Sequence, residues 1–400
     1  MLRFLTAGES HGKALVAIIE GVPAGLALDF DAITAELRRR QTGYGRGRRM
    51  LIESDKAEPL SGVRRGETTG GPIALMIPNR DWENWQRTMH VEAEAPSDAS
   101  GAERPPVTRP RPGHADLAGF VKYGHDDIRD VLERASARET AARVAVGSIA
   151  RQILGSLGSR IASHVTTIGG ASIPDPLALS FDQIQSISPE APLHCADAEV
   201  ERQMIAEIDR ARQAGDTMGG AFEVVAHDVP PGLGSYVQWD RKLDGRLAQA
   251  LMSIPAIKAV GIGRGPAVAS IPGSRVHDEI VVGRTGHSPI AVARPTNNAG
   301  GLEGGVTNGQ DLRVTAYMKP ISTLMQPLRS VDLATMTASP AAIERSDVCA
   351  VPAAAVVGEA MVAFVLADAT VEKFGGDSMA ELLANWKAFT ERTARRFSLR

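Results

Sequence analysis

Val351-Pro352-Ala353-Ala354-Ala355-Val356-Val357-Gly358-Glu359-Ala360-Met361-Val362-Ala363-Phe364-Val365-Leu366 is the stretch on which the fold turns. Proline stands in its first turn, where a missing N–H is no loss, and nearly every later residue is apolar. A helix without a polar face must lie inside the protein. A second helix of similar character follows Ser136-Ala137-Arg138-Glu139, which has the spacing of a capping box. It runs through small and apolar residues to about Leu154 and stops at Gly155 and Gly158, and its alanines predict close packing. Apolar runs at residues 2–7 and 14–19 flank a turn and read as strands, and the sequence is strand-like again from Leu51. Further helices are predicted over 31–37 (closed by Arg38-Arg39-Arg40), 197–214 and 240–253, with an amphipathic basic one over 377–396. Strands and helices mix without strict alternation, which predicts an α+β fold with layered β-α-β packing rather than a doubly wound sheet.

The wider sequence narrows the function. Forty-four Lys and Arg stand against 47 Asp and Glu, a net charge of −3, without the basic excess of a sequence-blind nucleic-acid coat. Two cysteines support neither a disulfide framework nor a four-cysteine zinc site. There is no unbroken apolar run of about 18 residues and no signal core, so the expectation is a cytoplasmic protein without a membrane span. Forty glycines and 24 prolines predict many tight turns. Two short echoes hint at related halves: Val22-Pro23-Ala24-Gly25-Leu26 with Val229-Pro230-Pro231-Gly232-Leu233, and Thr68-Thr69-Gly70-Gly71 with Thr217-Met218-Gly219-Gly220. Recurring turn chemistry explains them equally well.

Several clusters could carry chemistry. His11 sits between glycines in Gly8-Glu9-Ser10-His11-Gly12, a turn rather than an apolar face. Arg109-Pro110-Arg111-Pro112-Gly113-His114-Ala115-Asp116 joins guanidiniums to an imidazole on a stiff backbone, suited to an anion with a proton to move; the alternative is a solvated loop with a helix cap at Asp116. Arg38 to Arg40, Arg46, Arg48 and Arg49 suit a small polyanion better than nucleic acid, because only Tyr44 lies among them. The glycine-rich segment 297–309 could bring backbone amides to a ligand, and Lys319-Pro320-Ile321-Ser322-Thr323 could grip a phosphate. Cys349 beside an apolar helix reads as buried and inert. A phosphotransferase would need metal-binding carboxylates near the glycine-rich loop, where only Glu303 and Asp311 stand. No metal site is expected.

Four of these segments, in order, closely resemble the motifs of the chorismate synthases: Gly8-Glu9-Ser10-His11-Gly12, Arg111-Pro112-Gly113-His114-Ala115-Asp116, Arg134-Ala135-Ser136-Ala137-Arg138-Glu139-Thr140 and Asn298-Ala299-Gly300-Gly301. The resemblance spans about residues 2–368. It implies a β-α-β sandwich core with internal pseudo-two-fold symmetry and assembly as a homotetramer. One such domain is expected over 1–400, with a mobile loop at about 90–113 and a C-terminal helical extension at about 377–400. The implied reaction is the anti-1,4 elimination of phosphate and a ring proton from 5-enolpyruvylshikimate 3-phosphate, giving chorismate. It is redox-neutral yet requires reduced FMN, with NADPH or an external flavin reductase as the electron source.

By the same resemblance, His11 protonates the departing phosphate, His114 serves the flavin near N1, and Asp347 lies near flavin N5 and helps to move the substrate proton. Arg40, Arg46, Arg49, Arg111, Arg138 and Arg345 would bind the substrate, Arg40 and Arg46 also marking nicotinamide contacts. The flavin would meet Arg134, Ala135, Ser136, Pro255, Ala256, Gly304, Lys319, Pro320, Ile321, Ser322, Thr323 and Arg345. The chain departs from the common pattern at Pro255, where many relatives have Asn, and at Ser346, where many have His.

Overall fold

The computed structural model describes residues 1–47, 54–283, 289–344 and 346–397. Two antiparallel sheets enclose a layer of helices. The first sheet contains β1 (Arg3–Ala7), β2 (Ala14–Glu20), β3 (Glu58–Pro59) and β4 (Ile73–Pro78), in the order β1-β2-β4-β3. The second contains β5 (Arg160–Ile168), β6 (Ala171–Ser172), β7 (Gly220–His227), β8 (Ile257–Ile262) and β9 (Leu312–Met318), in the order β8-β9-β7-β5-β6. Between them lie α1 (Phe30–Gln41), α2 (Thr140–Gly155), α4 (Leu243–Met252) and α5 (Val351–Phe374); α3 (Ala198–Gln213) and α6 (Met379–Arg396) flank the core. This is the layered arrangement that the all-apolar helix predicts.

α2 and α5 form the centre of the layer. Gly147 of α2 faces Ala360 of α5 so closely that an added Cβ would lie 2.3 Å from the Ala360 Cβ. Gly358 makes the matching approach to the second sheet, with 2.4 Å between such a Cβ and the Phe222 ring. α5 is long and apolar enough to cross a membrane, but 89% of its most apolar window is buried inside this fold.

The two halves are real, and hydrogen bonds prove the correspondence. In the first, Thr68 Oγ1 donates to Pro23 O and accepts from Leu26 N, while Gly25 N donates to Thr68 O and Thr68 N to Leu26 O. In the second, Thr307 Oγ1 donates to Pro230 O and accepts from Leu233 N, while Gly232 N donates to Thr307 O and Thr307 N to Leu233 O. Each threonine closes a hairpin whose two turn residues have positive φ, Arg65-Gly66 and Gly304-Gly305. Each then leads into a strand, β4 or β9, that pairs with β2 or β7. The second sequence echo is therefore misplaced: Thr68 corresponds to Thr307, whereas Thr217 donates to Ile321 O.

Most predicted helices form, with local differences. Ser136 caps a short 3-10 turn, accepting from Arg138 N, and α2 starts at Thr140. Glu139 does not close a capping box; it accepts from Thr6 Oγ1 and Arg143. α4 starts at Leu243 behind a 3-10 turn, and α5 runs on to Phe374. The strand expected from Leu51 begins outside the described residues, and the short β3 follows at Glu58.

Buried charges tie the layers together. Glu359, fully buried in α5, accepts from Arg39 of α1 (2.8 Å), Ser163 Oγ of β5 (2.6 Å) and Arg151 of α2. Glu223 of β7 accepts from Arg313 of β9 (2.7 Å) and pairs with His164 of β5 (2.9 Å). Burial alone would raise both carboxyls. Arg39 and Arg151 outweigh it at Glu359, and His164 and Arg313 at Glu223, so both lie below the usual carboxylate range. Between the unfolded value of about 4 and the lower folded values, the unfolded chain therefore binds more protons. Stability from these pairs should be fully present above about pH 5 and decline as pH falls below about 4. Urea unfolding midpoints across that range check this, and Glu359→Gln should flatten the acid limb. A midpoint unchanged down to about pH 3 would contradict it.

Candidate active site

His11 sits in the reversal between β1 and β2. Gly8 makes the reversal possible: φ is +104°, and a Cβ there would lie 2.4 Å from Ala14 O. Asn79 pins the turn from one side, its Nδ2 donating to Glu9 O (3.1 Å) and Gly12 O (2.7 Å). Glu133 pins it from the other. Its backbone oxygen accepts from Ser10 N, and its carboxylate meets both His11 N (2.8 Å) and His11 Nδ1 (2.8 Å). The imidazole stacks on Trp85, with centroids 3.9 Å apart and planes 17° apart. The Arg104 guanidinium also lies on Trp85, 3.8 Å from the ring centroid.

The arginines occupy the ground behind this turn. Asp55 lies between Arg40 (2.8 Å) and Arg138 (2.5 Å), all buried, and Arg138 Nε donates to Asn79 Oδ1 (2.9 Å). Burial lowers Arg40 to about 10 against the pull of Asp55, with Arg138 and Arg46 adding to the fall. Burial would raise Asp55, but Arg138 and Arg40 hold it below the usual range. Arg40 Nε is buried without a hydrogen-bond partner among the described residues. Arg46 donates to Asp347 Oδ2 (2.5 Å), while Gly47 N donates to Asp347 Oδ1 (2.6 Å).

The second histidine is built differently. Asp116 is buried at the start of a short helix, Asp116–Tyr123, with its side chain turned back. It accepts from Arg111 Nε (2.8 Å), Nη2 (3.0 Å) and backbone N (3.0 Å), and from His114 Nδ1 (2.5 Å). Burial would raise its carboxyl; His114 and Arg111 hold it well below the usual range. So Asp116 serves as an ion-pair partner rather than a helix cap. Arg111 Nη1 reaches Thr323 Oγ1 (3.2 Å), Ser346 Oγ donates to Thr323 O, and Lys319 Nζ donates to Gly113 O (2.5 Å). Burial, then Lys258, lowers Lys319. Thus Lys319, Ser322 and Thr323 border the His114 turn.

Arg134, Ala135, Ser136 and Pro255 line one cavity of about 470 Å³ together with Phe4, Leu5 and Met361. Arg134 is held there by Thr6 O (2.9 Å), and Ser136 Oγ reaches Ser10 Oγ (3.1 Å) beside His11. Ala256, at φ +69°, joins this edge to Lys319, whose N donates to Ala256 O. Gly304 lies apart: its hairpin turn faces Tyr236 before α4, whereas Pro255 follows the other end of that helix. Arg49 and Arg345 lie outside the described residues.

The glycine-rich segment is internally satisfied. The amides of Asn298 and Ala299 donate to Asp278, and that of Gly301 donates to Asn297 Oδ1. Gly300 N donates to Asn297 O, and a Cβ at Gly300 would lie 2.3 Å from Gly263 N. These glycines serve close backbone packing, not an open anion cradle. Cys349 is buried, as expected, and burial pushes its thiol up to about 11. Glu133, Trp85, Asn79 and Asp55 are the site residues that sequence reasoning missed. Their one local signal is that Glu133 is a charged residue directly before the Arg134-Ala135-Ser136 segment.

Both histidines thus present Nδ1 to a buried carboxylate, which leaves Nε2 as the proton-exchanging atom. Guanidiniums stand between them, a setting for moving protons on an anionic ligand. The family model for chorismate synthase matches residues 2–371. The chain is 57% identical over 394 residues to a chorismate synthase of Desulforudis audaxviator (strain MP104C), covering 98% of each chain. It is 54% identical over 397 residues to one of Symbiobacterium thermophilum (strain DSM 24528 / JCM 14929 / IAM 14863 / T), covering 99% of this chain and all of that one. A crystal structure of chorismate synthase matches with a TM-score of 0.77 and 42% identity over 98% of each chain. Matched from end to end in sequence and in fold, this chain belongs to the chorismate synthase family and is a lyase of the shikimate pathway.

Proposed function

We propose that the elimination from 5-enolpyruvylshikimate 3-phosphate takes place between His11 and His114, over reduced FMN. The observation that carries this reading is a pair of polar runs: Asn79, Arg138, Asp55 and Arg40 behind His11, and Arg46, Asp347, Ser346, Thr323 and Arg111 leading to His114. In the reaction the carbon–oxygen bond to phosphate and a ring carbon–hydrogen bond break, and a ring double bond forms. Arg40, Arg46, Arg49, Arg111, Arg138 and Arg345 hold the carboxylates and phosphate. His11 Nε2 gives its proton to the departing phosphate, and Asp347 takes part in removing the ring proton. Reduced FMN, when bound, would supply electron density that helps the phosphate leave and would recover it.

The cavity fits a flavin. Its size lies within the ~300–1,000 Å³ of small-molecule and cofactor sites. Phe4, Pro255 and Met361 offer apolar surface for a ring system, and Arg134 offers positive charge for a phosphate. His114, with Nδ1 held by Asp116, would offer Nε2 to the flavin. Lys319 through Thr323 and Ala256 complete the proposed flavin contacts, and Gly304, which lies apart from them, is left out of this set. NADPH or an external flavin reductase supplies the reducing electrons.

Assembly as a homotetramer is supported by a bare face through which one copy can pair with another. Leu5, Ile18 and Ala74 stand in register across the outer side of the first sheet, with Leu5 75% and Ile18 44% exposed. The second sheet covers its outer side with Phe181 and Ile184. A second copy of this chain supplies the missing cover. Leu5→Lys with Ile18→Lys should reduce the mass measured by light scattering; an unchanged mass would place the interface elsewhere.

Anaerobic turnover of 5-enolpyruvylshikimate 3-phosphate tests the chemistry, following chorismate absorbance and phosphate release. Product should require chemically reduced FMN, and a repeat with oxidised FMN and NADPH tests the chain's own reductase activity. His11→Ala and His114→Ala should each lower turnover by about tenfold or more in folded protein. Near-normal turnover removes that histidine from the mechanism.

A further inference from the structure

The two histidines share a design but not a charge environment. Asp116 receives His114 and the fork of Arg111, so one carboxylate serves an imidazole and a permanent cation. Among the described residues Glu133 has no such second partner. Its side chain is fully buried, and among those residues its carboxylate meets only His11, through the ring Nδ1 (2.8 and 3.1 Å) and the backbone N (2.8 Å). No Lys or Arg forms an ion pair with Glu133 among the described residues. The Glu133 backbone oxygen also holds Ser10 N, and Trp85 covers a face of the imidazole. His11 is therefore fixed in backbone, ring plane and ring orientation by two residues, Glu133 and Trp85, outside the motif that contains it.

We propose that Glu133 is the positioning residue for the reaction, fixing the proton on His11 Nδ1 and so committing Nε2 to the leaving phosphate. This rests on the reading of His11 as the acid. The chemistry follows from donor count. A carboxylate offers only acceptors. The backbone N–H of His11 is an obligatory donor and occupies one oxygen. The remaining acceptor can be satisfied by the ring only if Nδ1 carries hydrogen. Nε2, on the far side of the ring, is then the atom that exchanges a proton with a bound ligand. Trp85 completes the arrangement by preventing the ring from swinging out of that plane.

Glu133→Gln tests this with little change of shape. The backbone N–H claims the amide oxygen, which turns the amide NH₂ towards Nδ1 and forces Nδ1 to accept. We expect kcat for 5-enolpyruvylshikimate 3-phosphate with reduced FMN to fall by about tenfold or more, with KM changed by less than about threefold, because ground-state binding is untouched. Nitrogen-15 spectra of histidine-labelled protein, with the His11 signals assigned by their loss in His11→Ala, provide a readout that a merely structural role would not move. Wild-type His11 should show a protonated Nδ1, and Glu133→Gln should show a bare one. A neutral wild-type ring with bare Nδ1 overturns the proposal, even if the variant fails to fold. So does folded Glu133→Gln with wild-type kcat. Wild-type turnover by His11→Ala would instead overturn the reading of His11 as the acid, whatever the tautomer, so the two failures are separable.

Discussion

Gly147 and Ala360 set the distance on which the rest of the molecule is built. Each belongs to the long helix that ends one half of the chain, and each helix bears on a sheet. Only a glycine lets the two backbones come this close. The close approach draws both sheets onto a thin helical layer, and Glu359, one residue before Ala360, then gathers Arg39, Arg151 and Ser163 from three neighbouring elements. Burying such a cluster carries a large desolvation cost, and removing one partner leaves an unmatched charge. Its strongest consequence is orientation: α1, α2, α5 and β5 are held in one relation, and Arg40 follows Arg39 directly into the site.

The repeated halves make the scaffold, and their departures from symmetry make the site. The threonine clamps at Thr68 and Thr307 are alike bond for bond. The connections between the first two strands of each half are not. β1 and β2 are joined by the short turn that carries His11, whereas residues 169–219 intervene between β5 and β7 and include α3. The short turn brings an imidazole against Glu133; the long one covers the outer face of its sheet. A pseudo-symmetric molecule thereby has one histidine turn and one bare sheet face.

What could be read from the sequence had local causes. An apolar helix, a helix stop at Gly155 or a glycine beside a histidine depends on neighbours in the chain. The VPxGL echo was legible because both halves must make the same turn. Its true partner, Thr307, was hidden because its threonine is followed by Asn308-Gly309 rather than by a second threonine and two glycines. Glu133 and Asp55 were hidden for a related reason. Each meets its partner across a long separation in the chain, 122 residues for His11 and 83 for Arg138, and no periodicity records that. The glycines of 297–309 misled in the opposite direction: a flexible composition suits both a ligand cradle and tight backbone packing, and only the contacts of Gly300 and Gly263 decide between them.

The four described arginines of the proposed substrate set all face carboxylates, and counting donors shows what is left for a polyanion. A guanidinium has five N–H donors in a fixed fork, and one carboxylate engages two of them at most in parallel. Asp55 serves both Arg40 and Arg138, so that trio keeps a net positive charge and its geometry is set before any ligand arrives. Asp347 is the exception. Arg46 and Gly47 N engage both of its oxygens. An anion that draws Arg46 away frees one of them as an acceptor. Binding the anion and releasing the carboxylate are then one event, because they compete for the same guanidinium.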